Sequence, residues 1–267
     1  MMLTRFANYN FNFMRTIAFI SPFIIRKISL FIFLMLALSL SRCKVNSSVA
    51  KGGSKSIRTL IVGGGSSHDF NRWYKQADAE TLSRDGFATV TYISNPDSMM
   101  YFLPTTDVLY LCFNQPINNP ASRQAILDFI AAGKGLVMGH AALWYNWKDW
   151  PEYNVQVVSG GTRGHDRYGS FEVNIVNGFH PVTKGVQKKF TLKDELYRYE
   201  LDPKGPGIEV LATANVAGSD KISSSVFVVK NSKARIVGIA LGHDAESHNL
   251  PEYQALLRNA IQWVARK

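Results

Sequence analysis

Cysteine is scarce in this chain: two in 267 residues, Cys43 and Cys112. One follows an apolar leader and the other lies inside a continuous apolar run, so no disulfide framework follows. Cys112, within "DVLYLCF", reads as a small buried hydrophobe. Acidic residues are absent from residues 1–58, which carry nine basic side chains. That asymmetry supplies nearly all of the net charge of +10, since the rest of the chain sets 21 basic against 20 acidic residues. A near-neutral body lacks the electrostatic footprint of a phosphate-binding surface, which argues against nucleic acid as a partner. No Ser or Cys stands in "MGHAA" (138–142), the strand-to-helix turn where α/β hydrolases carry their nucleophile, so acyl-enzyme chemistry is disfavoured. The Walker lysine, G-x-G-x-x-G and H-E-x-x-H are missing too, and no nucleotide cofactor is expected.

What is present begins with an export signal. Arg26 and Lys27 precede "ISLFIFLMLALSL" (28–40), a run of signal-peptide length that falls short of the roughly 20 residues needed to span a bilayer. The apolar residues at 17–25 extend it only if Arg26 and Lys27 enter the membrane, which is the uncleaved-anchor alternative. Met14 as initiator gives a leader of more ordinary length. Two cleavage points stay open. "LSRC" (40–43) resembles a lipobox with Cys43 lipidated, although Arg42 departs from the small residue expected there; "SVA" (48–50) fits the small-x-small rule. The expected organisation is a signal peptide, lipoprotein signal or anchor over 1–43, a flexible linker over 44–57 and one domain over 58–267. The expected location is exported, periplasmic or membrane-anchored, touching membrane only through the signal or lipid.

With 46% hydrophobic residues the body can bury a full core. Apolar runs at 58–65, 86–93, 107–113, 133–140 and 234–241 alternate with helical spacing at 73–84, 122–132 (capped by Ser122) and 249–265. That pattern predicts an α/β fold with a mostly parallel sheet covered on both faces. Segments 171–176, 208–214 and 224–229 read as an antiparallel extension, and the aromatic, turn-rich 144–153 and 159–171 as a loop insertion over the sheet.

In such sheets ligands bind beyond the carboxyl ends of the strands. Five of six histidines fall there: His68 after the first strand, His140 after the fourth, His165 in the insertion, and His243 and His248 after the last. Single loop histidines are commonly surface residues, and His180 before Pro181 reads as a turn residue. Asp69 and Asp244 suit Asx turns, and His248 suits a helix cap. The joint pattern points to a pocket shared by His68, His140 and His243. Gly64 in "GGGSS" (63–67) lets the backbone turn tightly beside a ligand. Imidazole with carboxylate suits zinc or a related divalent metal, with His68 and His243 as ligand candidates. Trp144, Tyr145, Trp147 and Trp150 offer either a sugar-stacking platform or a packed lid.

The motifs "LIVGGGSSHDF" (60–70), "GKGLVMGHAALW" (133–144), "GHDRYGSFEV" (164–173), "HPVTKGV" (180–186), "DELYRY" (194–199) and "VGIALGHD" (237–244), taken in order, resemble the trehalose-utilisation (ThuA-like) family. The resemblance implies a flavodoxin-like three-layer sandwich related to class I glutamine amidotransferase domains. Their elbow cysteine is replaced here by "GHA", so amidotransferase activity is not implied. It also implies a divalent metal in some members. By motif position it carries over His68, His140, Glu195, His243 and Asp244, with His165 and Asp166 bordering the pocket. Many relatives place a hydroxyl residue where this chain has Ala141. The expected function is carbohydrate processing on a glycoside or keto-sugar, by a sugar-active hydrolase, lyase or isomerase. His140 or His243 is the expected acid/base, with Asp244 and Glu195 orienting imidazoles or sharing a metal. His68, Trp144, His165 and Asp166 are expected to contact the sugar. The alternative is a non-catalytic carbohydrate-binding module or scaffold.

Overall fold

The computed structural model describes residues 56–144 and 149–266. The expected signal, lipobox and nearly all of the linker, together with Tyr145 and Trp147, lie outside the described residues. Eleven strands are described: β1 (Ile57–Val62), β2 (Ala88–Ile93), β3 (Val108–Leu111), β4 (Gly135–Gly139), β5 (Gly160–His165), β6 (Gly169–Ile175), β7 (Lys189–Asp194), β8 (Tyr197–Leu201), β9 (Ile208–Asn215), β10 (Ser223–Val229) and β11 (Ile236–Ile239). Nine of them form one sheet in the order β2-β1-β3-β4-β11-β10-β9-β6-β7. Pairings from β2 to β11 are parallel, and those from β11 to β7 antiparallel. β5 and β8 make a separate antiparallel pair. The expected mixed α/β architecture, a parallel sheet with an antiparallel extension, is thus present.

Alternate residues of the parallel strands feed two apolar clusters, as a pleat buried on both faces requires. Ile61, Tyr110, Val137 and Val237 pack with Trp73, Tyr74, Leu256 and Ile261. Leu60, Leu109, Leu136 and Ile236 pack with Ile126, Phe129 and Ile130. The first group meets the helical stretch Asn71–Asp78, wound as a π-helix and continued by α1 (Ala79–Ser83), and the closing helix α4 (Pro251–Val264). The second meets α2 (Pro120–Ala131).

Several boundaries differ from expectation. α2 begins at Pro120, capped by Asn119 Oδ1 accepting from Ala121 N, while the Ser122 hydroxyl donates to Asp97 O. A short helix α3 (Ala245–His248) precedes α4. Part of the supposed loop at 159–171 is strand β5, paired with the unforeseen β8. Also unforeseen is β7, the outermost strand in sheet order. Four strand spacings in a flat sheet would put it about 19 Å from β11. Instead the Asp194 carboxylate at its end accepts from Gly242 N, 2.9 Å away, so the antiparallel half curls back beside the β11 turn.

Candidate functional site

Four turns at strand ends bring the polar side chains together. After β1 the chain passes Gly64 at φ +117°, where a Cβ would lie 2.5 Å from Gln115 Nε2 and 2.7 Å from Ser94 O. Only glycine fits so close a backbone approach. The loop is tied down by Asn114, whose Oδ1 accepts from Ser66 N and whose Nδ2 donates to Ser66 O. His68 follows. After β4 stands His140 at φ 33°, a left-handed conformation unusual outside glycine. After β11, Gly242 at φ +129° turns the chain into His243. Glu195 directly follows the last residue of β7.

One ligand atom each from His68, His140, Glu195 and His243 lies within 4.8 Å of every other. His140 Nε2 and His243 Nδ1 are 3.5 and 3.3 Å from Glu195 Oε2. The far sides of the rings fix their tautomers. His140 Nδ1 donates to Ala240 O at 2.7 Å and His68 Nδ1 donates to Ser66 O at 3.2 Å, because a carbonyl only accepts. In both residues this leaves Nε2 as the nitrogen that faces the group. His68 Nε2, His140 Nε2 and His243 Nδ1 are all buried without a hydrogen-bond partner. Burial, helped by the His140 and His243 rings, pushes the His68 pKa down to about 4 despite its bond to Ser66 O. Burial works against ionisation of Glu195, but the imidazoles of His140, His243 and His165 outweigh it and draw that pKa down to about 2. Three buried ring nitrogens and a carboxylate therefore converge at one point.

Such a set fits a divalent cation. Two ligands 2.0–2.1 Å from one ion are roughly 3.3 Å apart at the tetrahedral angle. The His243–Glu195 and His140–Glu195 separations already match this. The backbone carbonyls behind His68 and His140 are the outer-shell acceptors that metal-binding histidines require. The group opens onto a cavity of about 330 Å³ lined by Ser66, Ser67, Asn114, Trp144, His165 and Tyr197, among others.

The remaining expected site residues separate. Trp144 and His165 line the cavity, and His165 Nδ1 donates to Asp166 O while lying 3.8 Å from Glu195 Oε1. The Asp166 carboxylate is paired with Arg198. Asp244 is the N-cap of α3: its Oδ1 accepts from Glu246 N, and its Oδ2 accepts from Tyr168 OH at 2.6 Å. It stands outside the converging group. Asp69 Oδ1 likewise accepts from Arg72 N. His180 Nδ1 accepts from Val182 N, as a turn residue. His248 does not cap a helix. It is fully buried, with Nδ1 2.7 Å from Asp78 Oδ1 and Nε2 3.0 Å from Gly242 O.

Sequence reasoning passed over Tyr197, which stacks on His140 at 4.0 Å and lines the cavity. It also passed over Asp194, which is fully buried. A signal for Asp194 was available: in "KFTLKD" Phe190, Leu192 and Asp194 share the buried face of a period-two strand.

The fold and site define an α/β domain with a histidine–carboxylate group at the carboxyl edge of its parallel strands. The chain belongs to the ThuA family, described as trehalose utilisation, whose family model matches residues 58–264. Among solved structures, a ThuA-like protein from Parabacteroides merdae is similar at 22% identity and a TM-score of 0.69, covering 79% of this chain and 90% of its own. A ThuA-like protein from Bacteroides uniformis is similar at 20% identity and a TM-score of 0.64, covering 78% and 91%. At these identities the likeness speaks for the fold. No curated protein matches the sequence.

Proposed function

We propose that this is an exported carbohydrate-processing protein with a flavodoxin-like three-layer fold, acting on a glycoside or keto-sugar in the cavity beside Glu195. The observation that carries the reading is the set of three unpartnered imidazole nitrogens facing one carboxylate. His68, His140, His243 and Glu195 would hold a divalent metal such as zinc. When bound, such an ion supplies Lewis-acid polarisation of a sugar oxygen or activation of a water.

The rest of the chemistry belongs to side chains. His165 is partly exposed and faces the cavity, and its Nδ1 proton is committed to Asp166 O. Nε2 is left to accept a proton from a sugar hydroxyl, the general-base role. With His140 and His243 engaged as ligands, this transfers the acid/base role to His165. Trp144 offers an aromatic face against which the C–H face of a sugar ring packs, and Tyr197 closes the wall beside it. The Tyr197 hydroxyl is kept protonated by burial and by the nearby Glu195 and Asp194 charges, so it keeps a proton to donate.

Elemental analysis of protein purified without an affinity tag, followed by turnover assays on disaccharides and their keto derivatives, tests the reading. Near-stoichiometric metal, turnover lost in His165→Ala and weakened sugar binding in Trp144→Ala are expected. Full activity at sub-stoichiometric metal removes the cation. Saturable sugar binding without turnover identifies a binding module instead.

A further inference from the structure

Behind the converging group lies a second polar assembly with no access to the cavity. Its centre is Gly242, the residue that turns β11 into His243. The Gly242 N–H donates to Asp194 Oδ2 at 2.9 Å, and the Ser247 hydroxyl donates to the same oxygen. The other carboxylate oxygen accepts from the backbone N–H of Glu195 at 2.6 Å. On the opposite side, the Gly242 carbonyl accepts from Tyr74 OH at 2.6 Å and from His248 Nε2 at 3.0 Å. His248 Nε2 carries a proton, since Gly242 O can only accept, and the other ring nitrogen faces Asp78. Its Oδ1 takes His248 Nδ1, while Oδ2 takes Tyr110 OH at 2.8 Å and Tyr253 OH at 3.2 Å. Asp78, Asp194, Tyr74, Ser247 and His248 are all buried.

We propose that Asp194 is a positioning residue that sets His243 against Glu195, with Tyr74 and the Asp78–His248 pair clamping Gly242 from the other side. One carboxylate holds the backbone of both sequence-distant partners, and nothing else described joins the β7 end to the β11 turn so directly. A side chain at Gly242 would be strained, since φ is +129° and a Cβ would lie 3.3 Å from both Tyr74 OH and Tyr253 OH. The 3.3 Å spacing of His243 Nδ1 and Glu195 Oε2 is therefore set by a buried carboxylate that touches neither side chain. The inference rests on the reading that those two residues share a divalent cation.

The substitution Asp194→Asn separates the two roles. Asp194 accepts three hydrogen bonds and donates none, so an amide must set its NH₂ against the N–H of either Glu195 or Gly242. Whichever way it turns, one of the two loops loses its anchor. Outer-shell changes of this kind weaken metal binding by about 10–100-fold. The full chain, stripped with chelator, is titrated with Co(II), whose d–d absorption reports both affinity and coordination number. Thermal unfolding of the stripped protein is followed in parallel. Tyr74→Phe keeps the ring stacked on Phe70 and removes only one clamp bond, so it serves if Asp194→Asn does not fold. Tyr199→Phe, which loses hydroxyl bonds to Val158 O and Ser159 O away from Gly242, is the control.

The expected result is a Co(II) dissociation constant raised 10–100-fold in Asp194→Asn and several-fold in Tyr74→Phe, with an altered d–d spectrum, and unchanged in Tyr199→Phe. Variants that melt lower yet bind Co(II) like the parent overturn the inference and leave the cation reading intact. A parent that binds no Co(II) overturns the cation reading itself, and with it this inference.

Discussion

Asp78 offers the sharpest test of how the molecule is held together behind its site. Its carboxylate accepts from His248 Nδ1, Tyr110 OH and Tyr253 OH, all in the core. Asp78→Ala strands a buried imidazolium and two hydroxyls, and removing one partner of a buried pair costs about 3–5 kcal/mol. For a domain of this size each kcal/mol is worth about 2–4 °C, so the melting temperature should fall by roughly 6–20 °C. Asp78→Asn should be far milder, near 1 kcal/mol in order of magnitude. Its amide oxygen still takes the tyrosine hydroxyls, and its NH₂ donates to Nδ1 of a neutral His248 whose Nε2–H still reaches Gly242 O. The pH dependence then inverts. Burial opposes the charged His248 ring, but Asp78 and Gly242 O outweigh it, and its folded pKa is raised. A raised folded value means that the pair stabilises fully below the ordinary value of about 6.5 and fades as pH rises through the folded value. Without the carboxylate, burial, the largest influence, faces only the two smallest, the Gly242 O bond and the Asp194 charge. The folded value should then fall, and stability should be lost on acidification instead. Circular-dichroism melts of the parent and both variants from pH 5.5 to 9 decide it. Equal melting temperatures for the Ala and Asn variants, or a parent-like pH profile in Asp78→Asn, refute the reasoning.

Glu195→Gln removes the one carboxylate of the converging group and should weaken Co(II) binding beyond the roughly 100-fold ceiling of outer-shell changes, measured by absorption titration. Gly242→Ala places a side chain at φ +129° against two tyrosine hydroxyls and should destabilise by about 1–3 kcal/mol, read from thermal melts. Asp166→Asn breaks only a partly exposed pair with Arg198, so it should leave Co(II) affinity unchanged and cost at most about 1 kcal/mol by chemical denaturation. Cys112 is fully buried, and burial raises its thiol pKa, so iodoacetamide at pH 8 should leave it unmodified in the native protein by mass spectrometry.

The parallel half of the sheet was legible because strands buried on both faces must be continuously apolar, as "DVLYLCF" and "ARIVGIAL" are. The convergence of His68, His140 and His243 followed from that frame, since their strands are neighbours or near-neighbours with carboxyl ends on one edge. Glu195 was reached through resemblance alone. Nothing local brings the end of an outermost strand to β11; that takes the curl of the whole antiparallel half. Tyr197 and the β5–β8 pair stayed out of sight for the same reason. His248 looked like a helix-start residue because its partner, Asp78, is 170 residues away.

The direction in which each ring spends its protons bears on what the site is for. A histidine kept for packing or solubility has no reason to leave a buried nitrogen unpaired, because an unmade hydrogen bond costs about 1–3 kcal/mol. His180 and His248 follow that rule: His180 Nδ1 accepts from Val182 N, and His248 pairs both of its nitrogens. His68 and His140 do the opposite. Each donates backward to its own side of the fold and leaves the inward nitrogen bare, and His140 does so from a strained φ of 33°. Strain and unsatisfied ring nitrogens gathered at one point are stable only when the surrounding structure holds them there. The Gly242 clamp and the Asn114 tie are that surrounding structure. They keep apart, and aimed at one another, groups that repel until a cation or a proton stands between them.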